Sequence, residues 1–262
     1  MGNGAGGAES EGGPRRRIAL VTGASRGIGA EVARQFGVLG LHVLVNYREK
    51  AKRASAVVDE IRTAGGQADT AGADVCDQAQ VRALLDAIKQ EYGLLDVLVL
   101  NASGGLERGA DADYAMRLNR DAQLNLATLA IPLMPAGARI VFVTSHQAHF
   151  FPGKQVPAGY EPIAESKRAG EDALLAAKPA LQEHGIELKV VSGDMIDGTI
   201  IVRLLHRKDP DAVEARRSRS VLPTVKEFAS AIVEAALQHQ VPETTYVGGA
   251  DYLLTTGWDS GM

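Results

Sequence analysis

The stretch IALVTGASRGIGAEVARQFGVLG, Ile18 to Gly40, constrains this chain most. Ile18–Val21 reads as a buried strand, Thr22–Gly29 as a glycine-punctuated turn and Ala30–Leu39 as an amphipathic helix. Together they form the first half of a βαβ unit. The backbone N–H groups at the start of such a helix have no intrahelical partner, and the helix dipole favours negative charge beside them. The turn is therefore a cradle for phosphate. Gly23 permits the tight turn, Gly27 lets backbone approach a pyrophosphate, and Gly29 lets helix and strand pack closely. Ser25, Arg26 and Ile28 stand between these glycines as candidate contacts with the same ligand. The competing reading is an ordinary tight loop, which the strand before and the helix after disfavour.

The rest of the chain repeats the alternation. Apolar runs predict strands at His42–Asn46, Gln67–Ala71, Leu95–Leu100, Arg139–Thr144, Glu187–Val191 and Thr245–Val247. Helical periodicity predicts helices at Glu49–Ala64, Asp77–Tyr92, Asp111–Leu133, Pro162–Glu183 and Thr224–Gln238, with Thr224 as an N-cap. Pro179 is expected to kink or split its helix. Asp194–Val221 reads as irregular or helical and is rich in Arg and Lys. Strands alternating with helices give an α/β fold: one doubly wound parallel sheet of about seven strands, helices on both faces, right-handed crossovers. No linker or repeat interrupts it, so residues 15–262 read as one domain. Met1–Pro14, rich in Gly, Ala and Glu, reads as a disordered leader.

Composition excludes little but is consistent. A chain of 262 residues with net charge −4 gives no support to nucleic acid as a partner. No apolar run is long enough to span a bilayer, so no membrane partner is expected. Cys76 is the sole cysteine, which rules out an internal disulfide and fits a reducing cytoplasm.

A ligand of such a fold sits beyond the carboxyl ends of the strands, so the residues just after each strand matter most. After the second strand comes Asn46-Tyr47-Arg48. An acidic residue there would bond the ribose 2′-hydroxyl of NAD. This chain instead has Arg48, with Arg26 in the glycine turn, and two cations suit a 2′-phosphate. NADP(H) is expected over NAD(H); the alternative for Arg48 is a solvated residue at a helix start. Asp74-Val75 follows the third strand, Asn101-Ala102-Ser103-Gly104-Gly105 the fourth, Ser145 the fifth and Ser192-Gly193 the sixth.

The turn TGASRGIG resembles that of the short-chain dehydrogenase/reductase family, and the strand-end residues extend the resemblance over nearly the whole chain. It implies adenine contact at Asp74-Val75, although Asp74 also reads as an N-cap. It implies cofactor contact along Asn101-Ala102-Ser103, and Ser192-Gly193 beside the nicotinamide where relatives usually have Pro-Gly. Ser145 would bond the substrate carbonyl, and Asn119 would hold a water in a proton relay or serve structure alone. Lys167 would hold the nicotinamide ribose and lower the pKa of a tyrosine that protonates the carbonyl oxygen.

One departure stands out. The family pattern is Tyr-x-x-x-Lys, yet the residue four before Lys167 is Ile163. The nearest phenol is Tyr160, seven before Lys167, a rise of roughly 10 Å on an unbroken helix. Pro162 suggests that Tyr160 precedes the helix with its ring folded back. YEPIAESK resembles the enoyl reductases of this superfamily. ASGGLERG, VTSHQAHFFP and YEPIAESKRAGEDAL resemble angucyclinone ketoreductases, which act on aromatic polyketides. Ser145 favours the ketone. The expected function is therefore NADPH-dependent reduction of a polycyclic aromatic ketone, with enoyl-thioester reduction or a catalytically inactive NADP(H)-binding protein as alternatives. The resemblance also implies a homodimer or homotetramer. His146, His149, Phe150 and Phe151 read as a pocket for a flat substrate or as ordinary loop packing. No metal is expected, since the histidines lack other ligands at suitable spacing. The cations between Arg203 and Arg219 read as a lid or, preferably, a solvated face.

Overall fold

The computed structural model describes residues 15–105, 113–154, 156–157, 159–199, 202–203, 206–207, 210–219 and 221–254. The expected leader, Met1–Pro14, and the expected helix start at Asp111 lie outside them.

Seven strands form one sheet: β1 (Ile18–Val21), β2 (His42–Tyr47), β3 (Gln67–Gly72), β4 (Val97–Leu100), β5 (Arg139–Ser145), β6 (Glu187–Gly193) and β7 (Thr244–Val247). Their order is β3-β2-β1-β4-β5-β6-β7, and every pairing is parallel. The order reverses between β1 and β4. The loops after these two strands therefore diverge and leave a crevice at their carboxyl ends.

One face of the sheet is covered by α1 (Gly27–Val38) and α2 (Ala51–Thr63), with a later helix, Val225–Leu237, against α1. The other face is covered by α3 (Gln78–Tyr92), by α4 (Tyr114–Met116) continuing through a π-helical turn (Arg117–Asp121) into α5 (Ala122–Ala130), and by α7 (Glu161–Glu183). A short α6 (His146–His149) follows β5, α8 (Pro210–Arg219) follows β6, the Val225–Leu237 helix is α9, and α10 (Ala250–Leu254) ends the described chain. Strands β1 and β4 are wholly buried, which is why Ile18–Val21 and Val97–Leu100 are continuous apolar runs rather than alternating ones.

Two local expectations change. Pro179 does not split α7, which runs unbroken to Glu183. Pro179 is exposed. Asp74 is not an N-cap: Asp77 caps α3, its Oδ1 accepting the N–H groups of Ala79 at 2.9 Å and Gln80 at 3.2 Å. The carboxylate of Asp74 accepts the Cys76 N–H at 2.9 Å instead. Replacing Asp77 with alanine should therefore cost about 1 kcal/mol in urea unfolding, while Asp74→Ala should cost less. Thr224 does cap α9, within a capping box completed by Glu227.

Candidate functional site

The crevice is a cavity of about 780 Å³ lined from both sides of the strand-order reversal. The glycine turn forms its floor. Gly23 has φ +62°, and a Cβ there would meet Ala102 Cα at 3.1 Å. A Cβ on Gly29 would stand 2.6 Å from Asn101 Nδ2, so both positions need the missing side chain. Gly27 opens onto free space, with nothing within 4 Å. Ser25, Arg26 and Ile28 line the cavity beside it. Arg26 precedes the first turn of α1 without a side-chain cap, so the leading N–H groups of the helix lack a side-chain acceptor.

Thr22 locks this floor to the loop after β4. Its hydroxyl donates to Val99 O at 3.1 Å and accepts the N–H groups of Asn101 and Ala102 at 2.9 Å each. Asn46 locks it to β3. Its Nδ2 donates to Ala71 O and Ala73 O, and its Oδ1 accepts the Gly23 N–H at 3.2 Å. Asn46 borders the cavity, but its amide is committed to the scaffold. Asn101 behaves likewise, donating to Thr22 O at 2.8 Å.

One end of the cavity is cationic. Arg26, Arg48, Lys50 and Arg53 line it, with Tyr47 and Asp74-Val75 nearby. No acidic residue stands at the tip of β2; the only acid in the following turn, Glu49, pairs with Arg48 at 3.1 Å. Arg48 also donates to the Tyr114 hydroxyl at 2.6 Å and lies 5.9 Å from its ring centre. The sequence reading missed Lys50, Arg53 and Tyr114. Arg53 had a signal, lying in the first turn of the helix that follows Arg48. Tyr114 had none, since it reaches Arg48 across 66 residues of chain.

At the other end, Ser145, Tyr160 and Lys167 line the same wall. Ser145 terminates β5 and accepts the Ala148 N–H at 3.3 Å. Tyr160 precedes the first residue of α7 with its phenol beside Ser145. Its ring is 6 % exposed and packs with Ala115, Ile163 and Ala164. Burial pushes the phenol pKa above its ordinary value, and the Ser145 side chain opposes this only in part. The phenol is thus held protonated. Burial pushes the Lys167 amine down to about 8, against the pull of Glu171. Lys167 Nζ donates to Ser103 Oγ at 3.3 Å. Ile163, which replaces the family tyrosine, is buried, and a Cβ on Gly105 would meet its Cδ1 at 2.5 Å.

Six expected site residues sit elsewhere. Asn119, in the π turn, is buried away from the cavity. Its Nδ2 donates to Gly104 O and Ser166 Oγ, both at 3.0 Å, and its Oδ1 accepts the Gly104 N–H at 3.3 Å. Ser192 does not reach the cavity either, since it bonds His146 Nδ1 at 2.8 Å. With His146 Nε2–H donating to Gly248 O, that nitrogen accepts from the serine. Burial lowers the His146 pKa and keeps the ring neutral. Gly193, next along, does line the cavity, and Phe228 fills the space its Cβ would take. His146, His149 and Phe150 turn away from the cavity toward Tyr246 and Tyr252. Phe151 packs against the Tyr160 cluster. Gln147 is the α6 residue that faces the cavity.

The segment after β6 roofs the crevice with Asp194, Met195, Ile196, Thr199, Val202 and Arg203. It is clamped rather than solvated: Arg216 of α8 forms a largely buried ion pair with Asp194, and Arg217 pairs with Asp197 at 3.0 Å. Lys208 lies outside the described residues. Among the described residues no His/Cys/Asp/Glu group is arranged to hold a metal, and no helix is long and apolar enough to cross a membrane.

A glycine cradle under a parallel-sheet crevice, a cationic end and a Ser–Tyr–Lys wall match a known pattern. The model of the short chain dehydrogenase family fits residues 17–209. The chain belongs to that family. It is 33% identical over 189 residues to a 1-cyclohexenylcarbonyl-CoA reductase of Streptomyces collinus, covering 70% of this chain and 66% of that protein. It is 37% identical over 138 residues to the versicolorin reductase stcU of Emericella nidulans, covering 50% and 52%. The chain thus spans between half and two thirds of the length of these curated relatives. Among solved structures it resembles the angucycline C-6 ketoreductase LanV with bound NADP, with TM-score 0.72 and 25% identity over 88% of this chain and 93% of that one.

Proposed function

We propose that this chain is an NADPH-dependent reductase that acts on a ketone of an aromatic polyketide-type substrate. The observation that carries the reading is that Tyr160, buried and held protonated, lines one cavity with Ser145 and Lys167. The angucycline and versicolorin reductases among its relatives support the substrate class.

The cofactor fits the residues present. The open space above Gly27 and the uncapped start of α1 would take the pyrophosphate. Arg26, Arg48 and Arg53 would take the 2′-phosphate. Asp74-Val75 would border the adenine, and Ala102, Ser103, Lys167 and Gly193 the nicotinamide riboside. NADPH, when bound, supplies the hydride. Ser145 and Tyr160 then bracket the position of the carbonyl oxygen, both donating to the charge that develops there. Tyr160 gives up the phenol proton that burial has kept on it, so the displaced tyrosine serves as general acid. The Lys167 ammonium, which donates to Ser103, would hold the ribose. Asn119 acts by pinning the Gly104 loop to α7 rather than by holding water on its side chain.

Arg48→Glu should weaken NADPH binding about 10–100-fold, because bonds from a cation to a phosphate contribute about 1.5–3 kcal/mol. NADH binding should change little. Fluorescence titration of the two cofactors checks this, and an equal loss for both would remove Arg48 from the 2′-phosphate site.

A second reading is reduction of an enoyl thioester, which the name of the Streptomyces collinus relative favours. NADPH oxidation measured with an aromatic polyketone and with a crotonyl thioester separates the two. Turnover of the ketone is expected, and turnover of the thioester alone would overturn the first reading. Absence of turnover with either, despite NADPH binding, would identify a binding protein. We further read residues 15–262 as one domain that works in the cytoplasm as a homodimer or homotetramer.

A further inference from the structure

We propose that Gln147 determines specificity: its side-chain amide reads a second oxygen of the substrate, a hydroxyl on the same ring as the reduced ketone or on the adjoining one. The proposal rests on the reductase reading above and narrows its substrate class.

Three of the four residues of α6 are committed to the scaffold. His146 bonds Ser192 at 2.8 Å and Gly248 O at 3.0 Å. The Ala148 N–H donates to Ser145 Oγ at 3.3 Å. His149 Nδ1 bonds Glu171 at 2.6 Å, and His149 O accepts from Arg168 at 2.6 Å. These ties fix α6 against β6 and α7 and leave Gln147 as its cavity residue. The Gln147 amide bonds no other described residue. Its polar neighbours in the roof differ: Asp194 is held by Arg216, Thr199 Oγ1 donates to Ile196 O at 2.8 Å, and Arg203 is exposed.

A flat aromatic ligand on this wall strips water from the amide, which costs binding energy unless the ligand replaces those bonds. The fitting ligand therefore carries a partner. The amide is uncharged and both donates and accepts, which matches a hydroxyl rather than a carboxylate or an amine. Gln147 is two residues from Ser145, so their Cα atoms are at most about 7 Å apart. The oxygens that the two side chains hold thus lie on one ring or on neighbouring rings.

The test compares 8-hydroxy-1-tetralone with 1-tetralone as substrates of the full chain with NADPH. The wild type should favour the hydroxylated ketone in kcat/KM by about fivefold, the worth of one hydrogen bond. In Q147L and in Q147A the ratio should fall to near one. A wild-type ratio near one, or a preference kept by either folded variant, would overturn the proposal and leave the reductase reading standing. If neither ketone is reduced, the same ratio is read from Kd by calorimetry in the presence of NADP⁺. A preference there that the variants lose would uphold this proposal and sink the reductase reading, while binding of neither ketone would sink both.

Discussion

Tyr160→Phe is expected to lower kcat by about 10²–10⁴-fold, the range that a positioned general acid contributes. The substitution removes one oxygen. The ring keeps its packing against Ala115, Ile163 and Ala164, so the fold should lose at most the worth of one hydrogen bond, about 1 kcal/mol. NADPH affinity should be unchanged, because the phenol faces the carbonyl and not the phosphates. The effect thus falls on kcat and leaves both binding and Tm nearly intact. Steady-state kinetics beside a cofactor titration reads the two separately. Unchanged turnover would mean that water or a phenol of the substrate supplies the proton.

Gly170→Ala should damage stability more than any single methyl normally does in a helix. An added Cβ would stand 2.0 Å from Asn119 O, a backbone atom that no rotamer change can move. Alanine gains about 1 kcal/mol of helix propensity over glycine. Forcing α7 off the π turn should outweigh that, with a net loss of about 2–3 kcal/mol. For a chain of this size that is a fall of roughly 4–6 °C in Tm. Activity should fall further than stability, since α7 carries Lys167 and Ser166 bonds Asn119. Calorimetry with an activity assay at 20 °C checks both, and a stabilised variant would refute the close packing of α7 on the π turn.

Much of this was legible in the chain because it is local. The glycine turn, the apolar strands and the absence of an acid after β2 depend on neighbours in sequence, and the fold sets the turn and the cations beside one crevice. What was not legible is long-range. Asn119 and Ser192 are polar residues at the expected places, but partners far along the chain take up their side chains. The aromatic run after β5 looked like a substrate wall; a four-residue helix there turns His146 and His149 toward β7 and leaves Gln147 facing the cavity. The π turn left no trace in the apolar periodicity, because it shifts the register of the helix by a fraction of a turn.

The account stands on a glycine cradle that takes a phosphorylated dinucleotide. Fluorescence titration of the full chain with NADPH and with NADH tests that most directly. Saturable binding of both, with NADPH held at least about tenfold more tightly, is the expected result. No binding of either would contradict the account at its base, and tighter binding of NADH would contradict the role given to Arg26, Arg48 and Arg53.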